Sequence, residues 1–219
     1  MQGGSDPLLI RLDRLTVALV ADVLDRLGLR AQVLSHRIRP LAGVERLAGF
    51  AFPIAAEGDE TILDDPYEHE LAAVDAVPPG GIVVLATGGY LDAAVWGELL
   101  TTRAVARGAA GAITDGAVRD LAALRVLGLP TYAAAVSAND SRGRIAVREW
   151  GGPVVCAGVA VSGGDLVLGD ADGVVVVPRR IAEEMLAAAE EKRDKEELAR
   201  GLLAEGVSAA EVWERHRVL

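Results

Sequence analysis

Gly88 to Leu127 reads GGYLDAAVWGELLTTRAVARGAAGAITDGAVRDLAALRVL, and its punctuation decides the fold class. Gly88-Gly89 marks a loop, apolar residues at helical spacing run from Ala93 to Arg107, and Gly108 stands where a helix stops. Gly111–Thr114 reads as a strand, Asp115–Arg119 as a loop, and Leu121–Leu127 as a helix closed by Gly128. Thr131–Val136 is the next strand. Upstream, the β-branched run Ile82–Ala86 follows the turn Pro78-Pro79-Gly80-Gly81 and suits a buried strand. Strand, helix, strand, helix, strand at this spacing predicts parallel crossovers and an α/β core.

Outward from this core the signals are coarser. Apolar residues from Leu12 to Leu27 have helical spacing and stop at Gly28. Extended segments are expected near Arg37–Pro40 and Gly49–Ala56, and a helix-and-loop region over Thr61–Asp75. Pro153–Val161, Asp165–Leu168 and Val174–Val177 read as antiparallel strands, the last two joined by the turn Gly169-Asp170-Ala171-Asp172-Gly173. From Ile181 the chain reads as helical and highly charged over Glu183–Arg200, with a short final helix from Ser208. Ile181, Met185, Ala188 and Ala189 recur as the stripe of an oligomer-docking helix would. No repeat or low-complexity linker divides the 219 residues, and at about 150 residues per domain one unit over 1–219 is expected, with a helical extension from about 181 to 219.

Composition narrows the function. With 51% hydrophobic residues, a chain of this length buries roughly 70% of its unfolded surface and needs no disulfide or structural metal. The 22 basic residues against 32 acidic ones give a net charge of -10, which disfavours a general nucleic-acid binder. A small acidic metabolite stays admissible, because a few local arginines outweigh the global field at short range. The single cysteine, Cys156, lies in an apolar run and reads as a buried structural thiol in a reducing compartment. No stretch reads as a signal peptide and no apolar run approaches a membrane span, so a cytoplasmic protein without a membrane partner is expected.

Absences remove several chemistries. His36, His69 and His216 lack ligand spacing, which disfavours zinc. The chain has no phosphate-cradling G-x-x-x-x-G-K-[ST] loop, no G-x-G-x-x-G after a strand and no G-x-S-x-G elbow. Asp170-Ala171-Asp172-Gly173 lacks the further ligands of a calcium loop and reads as a turn. Trp96, Trp150 and Trp213 read as packing or interface residues. The only lysines, Lys192 and Lys195, lie in the charged, solvated-looking C-terminal helix and are poor Schiff-base candidates. Carbonyl chemistry here would therefore rely on a metal or an arginine as electrophile.

Two local features carry chemistry. Arg119 and Asp120 fall at a strand-loop-helix junction, where the ends of parallel strands open a cleft. Neighbours in sequence do not face each other on a helix, so the two side chains are expected to project separately. The plainer alternative has Asp120 capping the following helix and Arg119 in solvent. In Gly97-Glu98-Leu99-Leu100, a helix starting at Gly97 would leave amides free to bind an anion such as a carboxylate. The alternative is one continuous helix tolerating a glycine at about 1 kcal/mol.

Glu98, twenty intervening residues and then Arg119-Asp120, within G-x-x-G-x-x-x-D-G-x-x-R-D (Gly108, Gly111, Asp115, Gly116), resembles the RraA-like family. That family includes class II 4-hydroxy-4-methyl-2-oxoglutarate aldolases and the regulator of ribonuclease activity A. Thr16–Gly28, Ile38-Arg39-Pro40, Leu47–Ala51 and Gly169–Pro178 fit the same family in order, so the resemblance covers nearly the whole chain. It implies a single-domain α/β fold with α-β-β-α layers, assembled as a homotrimer or a hexamer. It further implies that Asp120 holds Mg²⁺ or Mn²⁺ largely through waters, and that Arg119 binds the carboxylate and keto oxygen of a small 2-oxo acid substrate. The amides of Leu99 and Leu100 would take the carboxylate, and Glu196, or Glu197 beside it, would reach a neighbouring subunit's site.

The implied activity is cleavage of a 4-hydroxy-2-oxo acid to pyruvate, with oxaloacetate decarboxylation as a side activity. Both reactions leave a pyruvate enolate, which a divalent ion and Arg119 would stabilise. Glu98 would remove the substrate's hydroxyl proton through water. The aldolases usually carry aspartate at Glu98; the added methylene extends reach by about 1.3–1.5 Å, and about 1 Å of misplacement can cost a hundredfold in rate. A related lyase acting on a sugar-derived acid is one alternative. A non-catalytic regulator binding a ribonuclease or helicase is another.

Overall fold

The protein is described by a computed structural model covering residues 6–62 and 64–218. Its N-terminal apolar stretch is two helices, α1 (Pro7–Leu12) and α2 (Val17–Arg26), rather than the single one expected over Leu12–Leu27. The break has a local cause. The Thr16 hydroxyl accepts from the Leu19 amide, the Arg46 guanidinium holds the carbonyls of Asp13 and Leu15, and the Asp170 carboxylate accepts from the Val17 amide at 2.8 Å.

Strand β1 (Arg39–Ala42) and the long β2 (Leu47–Gly58) follow. Then come α3 (Glu68–Asp75), β3 (Gly81–Ala86), β4 (Ala94–Trp96), α4 (Glu98–Arg107), β5 (Gly111–Val118), α5 (Leu121–Leu127) and β6 (Thr131–Val136). The parallel crossovers expected here are present: β2, β3, β5 and β6 pair in parallel, and β4 adds to β5 in parallel. Two local expectations are corrected. Ala94–Trp96 is a short strand with every residue buried, as is Ala93 just before it, so the apolar spacing here reflects burial on both faces and not a helical stripe. The strand beginning at Gly111 runs on to Val118, past an irregularity in its pairing with β6 between Thr114 and Ala117, where a loop was expected over Asp115–Arg119.

The rest of the chain closes the sheet. Strand β7 (Ile145–Trp150), which sequence reading did not single out, pairs antiparallel with the second half of β2. The segment expected as one strand over Pro153–Val161 is a separate hairpin, β8 (Val154–Cys156) and β9 (Val159–Val161). Strands β10 (Leu166–Asp170) and β11 (Gly173–Val177) form the expected hairpin, and β10 pairs antiparallel with the start of β2. The strand order is β1-β6-β5-β3-β2-β10-β11 in a nine-stranded sheet.

Alternation along the strands shows how this sheet makes layers. Val83 and Leu85 pack with Ala104 of α4 and Leu124 of α5, whereas Ile82 and Val84 face an inner cluster. That cluster also takes Val167 of β10, Val174 and Val176 of β11, and Val159 and Val161 of the hairpin. Leu166, Leu168, Val175 and Val177 point the other way, against α1, α2 and the long helix α6 (Ala182–Ala204). The curled sheet thus lies between two helical sets, the α-β-β-α layering expected. Each fully buried Val or Leu contributes roughly 1.5–3 kcal/mol, so the inner cluster is a principal source of stability.

Helix α6 corrects two readings. Met185 and Ala189 are fully buried within the protomer, with Ile181 and Ala188 packed beside them, so the stripe docks on the protein's own α2 side and not on a second copy. Lys192 is 4% exposed rather than solvated, bonding Asp22 Oδ2 at 2.9 Å and the Glu196 carboxylate. Helix α7 (Ala209–His216), capped by Ser208, packs Val212 on Ala199 in a small outlying cluster. No helix among the described residues is long and apolar enough to cross a membrane.

Candidate functional site

The carboxyl ends of β4, β5 and β6 lead directly into Gly97, Arg119 and the segment carrying Asp140 and Ser141. Ligand crevices form beyond the carboxyl ends of parallel strands because the chain reverses there and leaves a gap. The gap here is a cavity of about 430 Å³, lined by these residues together with Tyr67, Glu70, Leu71, Trp96, Glu98, Leu99, Leu100 and Asp120.

Gly97 is the N-cap of α4, so the helix does begin where an anion-binding terminus requires. Its φ of -165° is extended backbone open to any residue; glycine is needed for space. A Cβ there would sit 2.8 Å from Asp120 Oδ2 and 3.1 Å from Arg119 Cγ. With no side chain at the cap, the carboxylate of Asp120 takes over and accepts from the Glu98 amide at 3.2 Å. The amides of Leu99 and Leu100 are left at the positive end of the helix dipole on the cavity wall. Leu99 itself is 81% exposed.

Asp120 occupies the N-cap position of α5, yet its side chain makes no bond to that helix. A left-handed backbone, φ 59°, turns it toward α4 instead. Such a conformation is costly for a residue with a Cβ, and it corrects the plainer reading of a residue capping its own helix. Arg119 does not lie free in solvent either. Its Nη1 is 3.0 Å from Asp140 Oδ1 and its Nε is 3.7 Å from Asp120 Oδ2. The two neighbours therefore line one cavity and touch, where separate projection was expected.

Sequence reading missed the opposite partners of this arginine. Tyr67 Oη donates to Asp140 Oδ2 at 2.5 Å, and Ser141 Oγ donates to Glu70 Oε2 at 3.4 Å. Burial, reinforced by the negative charge of Asp140, pushes the Glu70 carboxyl up to about 7, against a smaller downward pull from Ser141 and Arg119. Burial also pushes Asp140 upward, but the Tyr67 hydroxyl and the Arg119 charge outweigh it and hold that carboxyl below its ordinary range. The hydrogen bond to Asp140 raises the Tyr67 phenol. One guanidinium thus faces the carboxyl groups of Glu70, Glu98, Asp120 and Asp140. An anionic ligand entering alone would meet a surplus of negative charge.

That donor set suits a hard divalent cation. Among the described residues no three His, Cys, Asp or Glu side chains gather into an all-protein metal cage. A cation here would keep water and ligand oxygens in its shell, as Mg²⁺ does with one or two carboxylates. Glu196 and Glu197 lie outside this protomer's cavity, Glu196 bonded to Lys192 and Glu197 to Arg200.

A layered α/β protein with an arginine-and-carboxylate cavity at its parallel strand ends is the class these features define. Residues 17–176 match the family described as RraA-like: Aldolase/RraA, and the chain belongs to the RraA-like family. It is 29% identical over 195 residues to a Halalkalibacterium halodurans protein named "Putative 4-hydroxy-4-methyl-2-oxoglutarate aldolase", covering 89% of this chain and 87% of that one. It is 28% identical to Protein DlpA of Legionella pneumophila over 91% of this chain but only 32% of that longer protein. Among solved structures, it is similar to Streptomyces coelicolor RraAS2, described as an unusual member of the RNase ES inhibitor RraA protein family. The TM-score there is 0.81 at 27% identity, covering 91% of this chain and 98% of that one.

Proposed function

We propose that the protein is a divalent-metal-dependent lyase that cleaves a 4-hydroxy-2-oxo acid to pyruvate and decarboxylates oxaloacetate as a side activity. The observation that carries this reading is the convergence of Arg119, Asp120 and the free α4 terminus on one cavity. The Leu99 and Leu100 amides bind the substrate's carboxylate, and the helix dipole favours that charge. Arg119 lies along the 2-keto oxygen, where a fixed donor to developing negative charge is worth about 3–4 kcal/mol. Asp140 and Tyr67 hold the guanidinium in place. Asp120, with Glu98 through water, would hold Mg²⁺ or Mn²⁺, which supplies Lewis acidity toward the keto and carboxylate oxygens. Glu98 takes the proton of the 4-hydroxyl group through water as the C3–C4 bond breaks.

A homotrimer or hexamer would bring an acidic residue of α6 to a neighbouring cavity. Glu196 would have to leave the buried Lys192, whereas Glu197, whose side chain is 75% exposed, would give up only a surface pair. The extra methylene of Glu98 relative to aspartate leaves a sugar-derived acid as an alternative substrate. The similarity to RraAS2 favours a second reading, a non-catalytic regulator of a ribonuclease or helicase. The test is pyruvate release from 4-hydroxy-4-methyl-2-oxoglutarate, sugar-derived 2-oxo acids and oxaloacetate with Mg²⁺ or Mn²⁺. Activity abolished in Arg119→Ala and Asp120→Ala supports the lyase. Silence of the wild-type protein on the whole panel supports the regulator.

A further inference from the structure

Cleavage and decarboxylation both end with an enolate whose methylene carbon must gain a proton. Glu98 acts at the 4-hydroxyl end of the substrate and is an open, exposed group. A different acid occupies a separate wall of the cavity. Glu70 lies in the first turn of α3, which packs on β7 and α4. Its hydrogen bond among the described residues comes from Ser141, and its carboxyl borders the same space as Arg119 and the α4 terminus.

We propose that Glu70 is the acid that protonates the methylene carbon of the pyruvate enolate, an assignment that rests on the lyase reading above. The C3–C4 pair, or the pair of the bond to the departing carboxylate in decarboxylation, becomes the C2–C3 π bond of the enolate. That π pair then forms a C3–H bond with the Glu70 proton, the C2–O⁻ pair re-forms the carbonyl, and Glu70 is left as a carboxylate. Solvent reprotonates it through the cavity mouth.

The surroundings favour a carboxyl that holds its proton near neutral pH, which an effective acid at that pH requires. Asp140 faces Glu70 with negative charge and Arg119 with positive, and burial outweighs the arginine. The remaining charges nearby are engaged elsewhere. His69 of the same helix is turned to the Val147 carbonyl, Arg103 of α4 pairs with Asp75, and Arg148 of β7 pairs with Glu57 and Asp59. Glu98 of α4 borders the cavity, and Tyr67 is bonded to Asp140.

The test is exchange of pyruvate methyl protons for deuterium with Mg²⁺ present, which runs the same proton transfer in both directions, beside pyruvate release from oxaloacetate. Glu70→Gln keeps the shape and the Ser141 contact, so its melting curve and its affinity for oxalate, an enolate mimic, are expected to match wild type at acidic pH. Its exchange rate is expected to fall by about a hundredfold or more, the worth of a positioned acid. The wild-type exchange profile carries a limb near pH 7 that Glu70→Gln lacks and Glu70→Asp retains. A ¹³C carboxyl titration of the metal-free protein is expected to contain one glutamate near 7 that is missing in Glu70→Gln. Exchange at the wild-type rate in Glu70→Gln overturns the assignment alone. A wild-type protein silent in both exchange and pyruvate release overturns the lyase reading, and the assignment with it.

Discussion

Replacing Gly97 with alanine separates space from backbone geometry in the cavity. At φ -165° an alanine is unstrained, so the whole effect comes from the new methyl group. It would lie 2.8 Å from Asp120 Oδ2, where ordinary contacts begin near 3.4 Å, so the carboxylate must retreat by about 0.6 Å. Asp120 has little freedom to follow, because its backbone is already left-handed at φ 59°. Its bond to the Glu98 amide, 3.2 Å long, stretches past useful length. Loss of that cap costs about 0.5–2 kcal/mol. The lower entropy of the unfolded alanine chain returns about 0.4–1 kcal/mol. Net destabilisation is therefore expected below about 2 kcal/mol, a melting shift of a few degrees at this chain length. Activity should suffer far more. Displacement approaching 1 Å of a positioned group lowers rate by up to about a hundredfold, so pyruvate release should fall tens-fold or more. Urea unfolding and a coupled pyruvate assay measure the two effects on one preparation. Wild-type kcat/KM in Gly97→Ala would refute the claim that this glycine keeps room for Asp120, and wholesale unfolding would refute the strain-free accommodation.

Other consequences follow from buried groups. Glu70 titrates near 7 when folded against 4.5 when unfolded, so it adds relative stability below pH 4.5 that is lost by about pH 7. The loss is on the order of 3 kcal/mol; Glu70→Gln should therefore be more stable than wild type at pH 8 and equal to it near pH 4.5, by chemical denaturation. Lys192→Ala leaves Asp22 and Glu196 without their buried cation and should cost about 1–3 kcal/mol, with Lys192→Met, which keeps the apolar stem, costing less. Equal urea midpoints for all three proteins would refute that account. Burial, with Asp115 nearby, pushes the Cys156 thiol well above its ordinary value. Iodoacetamide should label it only on unfolding, and rapid labelling of the native protein would contradict the packing described.

Where local signals and local structure coincide, the chain was readable. Leu121–Leu127 and Thr131–Val136 match element for element, because the glycine stop at Gly128 and Pro130 behind it punctuate the chain within a few residues. Ala94–Trp96 reads as helix from sequence because three buried residues have no period to distinguish strand from helix. Strand β7 went unseen although Ile145 and Val147 alternate inward. The Lys192 reading failed because a charge among charges looks solvated until its tertiary partner, Asp22 on α2, is known. Arg119 and Asp120 were legible since adjacency and a strand end both marked them. Their contact was not, because it depends on a left-handed backbone at a residue that is not glycine.

Tyr67, Glu70, Asp140 and Ser141 reach the cavity only through topology: α3 precedes β3, the 140–141 segment follows β6, and β3, β5 and β6 lie side by side. The signal for half of them was nevertheless available. The rule that points to Arg119 at the end of β5 applies equally to the end of the next parallel strand, where Asp140-Ser141 stands. Applied to both strand ends, it also foretells the electrostatics. Asp140 anchors Arg119 from one side and Asp120 touches it from the other, so the guanidinium is held in place and partly neutralised before any ligand arrives. A 2-oxo acid then gains less from Arg119 than an unpaired arginine would give, and must offset repulsion from the acidic groups as well. Binding of the acid and of a divalent cation should consequently be coupled, each tightening the other by the same factor. Isothermal titration of oxalate with and without Mn²⁺ measures that factor, and affinity for oxalate unaltered by the cation would break the link between the cavity's charge surplus and its proposed chemistry.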